Sequence, residues 1–196
     1  DLHPIRFEVP TPPTDWPASL ALSPDGRQLV FVATSDGVSR LWLRSLNDTI
    51  AKALAGTDDA TLPFWAPDSR AVAFFAEGHL KRLDFASGVT QALANNVAQV
   101  SASRGAWNRD GILLISPRST SGLLRISERG GPAVAVTSFA AGQGTHALPQ
   151  FLPDGRRFLF WMGGSSDTRG EYLGSLDGGE PRRILPTDSP AVFAPP

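Results

Sequence analysis

The chain has 196 residues, a net charge of −1, and a hydrophobic fraction of 41% against 19% charged. That composition belongs to a globular protein with one well-buried core, and a near-neutral charge argues against nucleic acid or an anionic membrane as partner, because neutralising phosphate takes a basic face. With no cysteine there is no disulfide, no thiolate metal site and no cysteine nucleophile.

Taken in chain order, IRFEV (5–9) reads as a lone strand, and TDWPAS places Trp16 just ahead of the first patterned segment. SLALS (19–23) is then followed by the turn PDG, the alternating strand QLVFVA (28–33), RLWLRSL (40–46), a polar turn and AKALA (51–55). The same plan returns as LPFWA (62–66), PDS, AVAFFA (71–76), HLKRLDF (79–85) and TQALA (90–94). A third pass runs GAWN, RDG, GILLIS (111–116), LLRIS (123–127) and AVAVT (133–137). The fourth runs PQFL (149–152), PDG, RFLFWM (157–162), EYLGSL (171–176) and RRILP (182–186).

The turn aspartates Asp25, Asp68, Asp110 and Asp154 stand 43, 42 and 44 residues apart. A period of that length with four strands per unit is the pattern of propeller blades. The expected fold is therefore all-β, a β-propeller with four blades at about 17–56, 60–95, 101–138 and 146–187. In each turn the proline presets φ, the aspartate accepts from nearby amides and the glycine takes the positive φ. Two turns depart from this. Ser69 stands where the others have glycine, and Arg109 replaces the proline of the third turn.

Residues 5–9 are expected to close a ring by completing its last blade, and SPAVFAPP (189–196) resembles the innermost strand of a fifth blade. The segment thus reads as part of a longer ring, with a complete four-bladed propeller as the alternative. The apolar runs 71–76 and 158–162 are too short to cross a bilayer.

SPDGRQLVFVAT, PFWAPDSRAVAFFAEGHLKRLDFASG, GAWNRDGILL and HALPQFLPDGRRFLFW resemble the TolB-like (PD40, or WD40-like) propellers. More closely, they look like the propeller region that follows the kinase and membrane segment in many bacterial serine/threonine protein kinases. The resemblance covers about residues 5–193 and implies an extracytoplasmic sensor or protein-interaction domain. The kinase part is missing. No Gly-rich phosphate loop or HRD is present, and DFASG (84–88) is a turn rather than a metal-binding DFG.

Candidate sites are few. The aromatic residues Trp65, Trp107, Phe31, Phe74, Phe75, Phe158 and Phe160 recur at equivalent positions and are expected to pack between blades. The four turn aspartates sit one per blade, so they are structural acceptors rather than a metal site, and no cofactor is expected. Loops leading into the innermost strands place Asp59, Arg104 and His146 at the mouth of the central channel, with Trp16 as a further contact. Arg104 offers a planar fork of donors and His146 a group that titrates near neutrality. No G-x-S-x-G is present, and no Ser/His/Asp set can be assembled.

Two function classes remain open. The first is a non-enzymatic binding or sensor module that takes a protein, peptide or small ligand at the channel mouth. The second is a propeller that gates a prolyl-oligopeptidase-like hydrolase. Self-association through open blade edges into a homodimer is a third, structural possibility.

Overall fold

A computed structural model describes residues 11–14, 19–97, 104–116, 122–140 and 143–194. The expected closing strand 5–9 and Trp16 lie outside the described residues. No helix occurs among the described residues; sixteen strands form four separate four-stranded antiparallel sheets, each a simple up-and-down meander.

Blade 1 comprises β1 (Leu20–Leu22), β2 (Gln28–Ser35), β3 (Val38–Ser45) and β4 (Lys52–Ala53). Blade 2 comprises β5 (Thr61–Trp65), β6 (Ala71–Ala76), β7 (His79–Asp84) and β8 (Thr90–Ala94). Blade 3, whose first and last strands have only two residues, comprises β9 (Ala106–Trp107), β10 (Ile112–Ile115), β11 (Leu124–Ser127) and β12 (Val134–Ala135). Blade 4 comprises β13 (Gln143–Phe151), β14 (Arg157–Gly164), β15 (Gly170–Ser175) and β16 (Arg182–Leu185). The architecture is the all-β propeller that the repeat predicts.

The second strand of each blade explains why separate sheets stack. In β6 every side chain is buried, and period-two alternation divides the six between two cores. Val72, Phe74 and Ala76 join Val30, Val32 and Leu41 in the seam between blades 1 and 2. Ala71, Ala73 and Phe75 join Leu113, Ile115 and Ile126 in the seam between blades 2 and 3. β10 divides in the same way, sending Leu114 to a third seam with Phe158, Phe160 and Met162 of blade 4. Trp65, Trp107, Phe74, Phe75, Phe158 and Phe160 lie in these seams, whereas Phe31 is buried on the other face of β2.

Backbone hydrogen bonds are made mostly within blades, with Gly131 N donating to Leu93 O at 3.2 Å as a link between blades 3 and 2, so side chains do most of the joining. Ser19 Oγ accepts from Leu62 N at 2.9 Å, and Trp65 Nε1 donates to Ala21 O at 2.9 Å. Ser116 Oγ donates to His146 O at 2.5 Å. Innermost strands contact their neighbours from β1 to β5, β5 to β9 and β9 to β13. Among the described residues there is no return contact from β13 to β1 and no fourth seam. The four blades form an open arc.

Each end of the arc carries a face without a neighbouring blade. On β1, Ala21 points into the first seam while Leu20 and Leu22 are 37% and 54% exposed. On blade 4, residues 191–193 lie against the opposite face from the third seam. Gln150 Oε1 accepts from Phe193 N at 2.8 Å, Gln150 Nε2 donates to Phe193 O at 3.1 Å, and Glu171 Oε2 accepts from Ala191 N at 3.1 Å. Glu171 is buried, which raises its carboxyl above the usual value.

Two substitutions separate seam from end. Phe74→Ala removes a fully buried ring and should cost about 3–5 kcal/mol, whereas Leu22→Ser should change stability by less than about 0.5 kcal/mol. Urea denaturation of both variants checks the contrast.

Candidate functional site

The turns that leave the innermost strands come together on one face of the arc. Each begins with a reversal closed by a residue at positive φ: Gly26 at 69°, Ser69 at 61°, Gly111 at 74° and Gly155 at 70°. Ser69 therefore adopts the left-handed geometry that its position demands. Three of the four aspartates then act as the sequence predicts. Asp25 Oδ1 accepts from Arg27 N at 3.1 Å, Asp68 Oδ1 from Arg70 N at 2.9 Å, and Asp154 Oδ1 from both Arg156 N and Arg157 N at 2.9 Å.

Asp110 is the exception, and the expectation for it is corrected. In the third turn the acceptor is Asn108, whose Oδ1 takes Asp110 N at 3.1 Å and Ile112 N at 2.8 Å. Asn108 occupies the place of Ser23, whose Oγ accepts from Gln28 N at 2.9 Å in the first turn. The amide group does more than the serine. Its Nδ2 donates to Gly155 O at 2.7 Å and so ties the third turn to the fourth.

These turns surround a cavity of about 670 Å³. The residue preceding the aspartate in every blade lines it: Pro24, Pro67, Arg109 and Pro153. Trp107, Phe151 and Phe193 add apolar wall. A second cavity of about 330 Å³ shares Pro67, Trp107 and Arg109 and reaches Arg82 and Glu128 between blades 2 and 3. There the Arg82 guanidinium lies 5.5 Å from the centroid of the Trp107 ring, within cation–π range.

Two of the acidic groups on this face have lowered pKa values. Hydrogen bonds from the Arg157 amide and guanidinium and from the Arg156 amide bring the Asp154 carboxyl down to about 2. Ser23 first, then the Arg27 amide, lowers that of Asp25. Both groups are committed to their own turns.

The residues expected at the channel mouth fare differently. Asp59 is exposed in the loop before β5, at a φ of 57°, with its amide donating to Ser39 O at 2.8 Å. Arg104 is exposed in the segment before β9. Trp16 lies outside the described residues. His146, expected in a loop, is instead inside β13 and fully buried in the seam between blades 3 and 4.

His146 is packed on two sides by Phe139 and Phe160, with ring centroids at 4.6 and 5.0 Å. Its Nδ1 is 2.7 Å from Thr137 Oγ1, which also accepts from Leu123 N at 2.8 Å, while its Nε2 is buried without a partner. Burial brings its pKa down from 6.5 to about 4, so the ring is neutral at pH 7. It is built into the packing of blade 4 against blade 3.

Among the described residues no group of three His, Asp or Glu side chains is placed to hold a metal ion. Neither a family model nor a curated protein sequence matches the chain. Solved structures do match. TolB from Acinetobacter baumannii aligns with a TM-score of 0.69 at 16% identity, over 88% of this chain and 44% of that one. The putative TolB from Agrobacterium tumefaciens gives 0.66 at 16% identity, over 84% and 63%. The β-propeller domain of the Trilobed protease from Pyrococcus furiosus, described as having an open velcro topology, gives 0.55 at 18% identity, over 84% and 56%. The chain spans less than two thirds of each. Its fold is that of the TolB-like β-propellers.

A neutral buried histidine makes stability depend on pH with a definite sign. Its contribution is complete above the unfolded value near 6.5, and it declines as pH falls towards about 4, because only the unfolded chain takes up the proton. The unfolding free energy from denaturant titrations at pH 7 and pH 4 should fall by an amount on the order of 2 kcal/mol. His146→Gln should be less stable at pH 7 and lose this part of the slope.

Proposed function

We propose that the chain is a non-enzymatic binding module, part of a longer propeller ring, and that it takes its ligand at the face formed by the four turns. One observation carries the reading: a single cavity is lined by the equivalent residue of all four blades, Pro24, Pro67, Arg109 and Pro153. The turns that bear them are pinned by their own side-chain acceptors and by the Asn108–Gly155 link. A binding surface on rigid turns loses little entropy when it is occupied.

The larger ring rests on the two end faces. Phe193 meets Gln150 43 residues before it, the same separation as Leu62 from Ser19 between blades 1 and 2. In this reading residues 189–194 begin a fifth blade. An extracytoplasmic sensor joined to a bacterial serine/threonine kinase is the finer form of the proposal, and the motif resemblance supports it. A propeller gating a hydrolase is the second reading, favoured by the likeness to the Trilobed protease propeller domain.

Ligand-observed NMR with a fragment library tests the proposal. Unrelated fragments should compete for one site, be recovered chemically unchanged, and lose binding in Pro153→Trp, which fills the cavity from an exposed turn position. Binding that survives in the filled variant would place the site elsewhere. Fragments returned cleaved would favour the hydrolase reading.

A further inference from the structure

The third turn lacks the proline that the other three share, and no contact in the turn calls for that change. Arg109 stands where Pro24, Pro67 and Pro153 stand in their turns. A proline there would cost no hydrogen bond, since among the described residues the Arg109 amide donates none. The arginine side chain is not used by the fold either. It is exposed, and among the described residues it has no hydrogen-bond or ion-pair partner. Other arginines nearby are engaged: Arg157 with Asp154 at 2.5 Å and Arg82 with Asp84 at 3.4 Å. Arg109 lines both cavities of the turn face.

We infer that Arg109 is the ligand-recognising residue of this face and that the ligand is a small organic monocarboxylate with an apolar body. This rests on the binding reading above and gives that site its ligand class. A guanidinium presents a planar fork that pairs two donors with the two oxygens of a carboxylate. The surroundings decide the charge of the ligand. Asp110 and Asp154 line the same cavity and Asp68 and Glu128 the adjoining one, so a phosphate dianion would meet about twice the repulsion that a single negative charge meets. In the same cavity Pro24, Pro67, Trp107, Phe151 and Phe193 offer apolar surface for the rest of the molecule. The cavity volume of about 670 Å³ is in the range of small-molecule sites.

The replacement that tests this is the one that the repeat itself supplies. Arg109→Pro restores the residue of the other three turns, removes the cation and should leave thermal stability unchanged or raised. The probes are phenylacetate, its neutral isostere phenylacetamide, and phenylphosphonate, each titrated into the 196-residue chain by ligand-observed NMR with tryptophan fluorescence as a second readout. Phenylacetate should bind at least about tenfold more tightly than phenylacetamide and than phenylphosphonate, and Arg109→Pro should erase that preference while Arg109→Lys keeps part of it.

Equal binding of acid and amide, or a preference that persists in Arg109→Pro, would overturn the assignment of Arg109 while leaving a binding site in place. Tighter binding of the phosphonate would overturn the monocarboxylate. If none of the three probes binds, both the inference and the turn-face site fail.

Discussion

A sheet buried on both faces must find a partner on each side, and the rest of this fold follows from that constraint. The six residues of β6 put Val72 and Phe74 on one side and Ala73 and Phe75 on the other, all of them buried. Blade 2 is stable only between two other blades. The same alternation in β10 makes blade 3 equally dependent. Each seam is closed by side chains rather than by a shared ladder of backbone bonds, so the blades stack as discrete units with a few hydrogen bonds holding their registration. Three seams serve four blades, and blades 1 and 4 are each left with one face that no described blade covers.

Stacking also explains where chemistry can reside. Strand interiors are spent on packing, which is why Trp65, Phe158 and even His146 are structural. What remains free are the connections at the two ends of the channel. On the turn end the connections are short and internally bonded, so the side chains they carry project from fixed points. The four positions ahead of the turn aspartates converge because the blades are equivalent, and three of them carry the same residue. A departure from the repeat at such a position changes what the shared cavity presents. Arg109 is such a departure.

Much of this fold was legible in the chain because it depends on short-range pattern. The spacing of the turn aspartates and the period-two runs locate all four blades, and AVAFFA and TQALA match β6 and β8 to the residue. The strain at Ser69 was readable from the repeat alone. Other features depend on which residues meet across a seam, which no single repeat reports. His146 looked like a loop residue because β13 begins earlier than its counterparts, at Gln143, and only Phe139, Phe160 and Thr137 show it to be enclosed. Asp110 reads like its three relatives, yet Asn108 takes over its task because it can also reach Gly155 in the next blade. The expected mouth carries Asp59 and Arg104, whereas a cavity lined by all four blades lies at the turns, where no single repeat shows it.

The central claim is that among the described residues the arc is open, with no blade over either end face, and solution mass tests it most directly. Light scattering on a sizing column across a concentration series should give a mass that rises above the 20.9 kDa of one chain, as the face bearing Leu20 and Leu22 finds a partner on another copy. A mass that stays at 20.9 kDa at every concentration would contradict the claim and mean that the four blades cover their own ends.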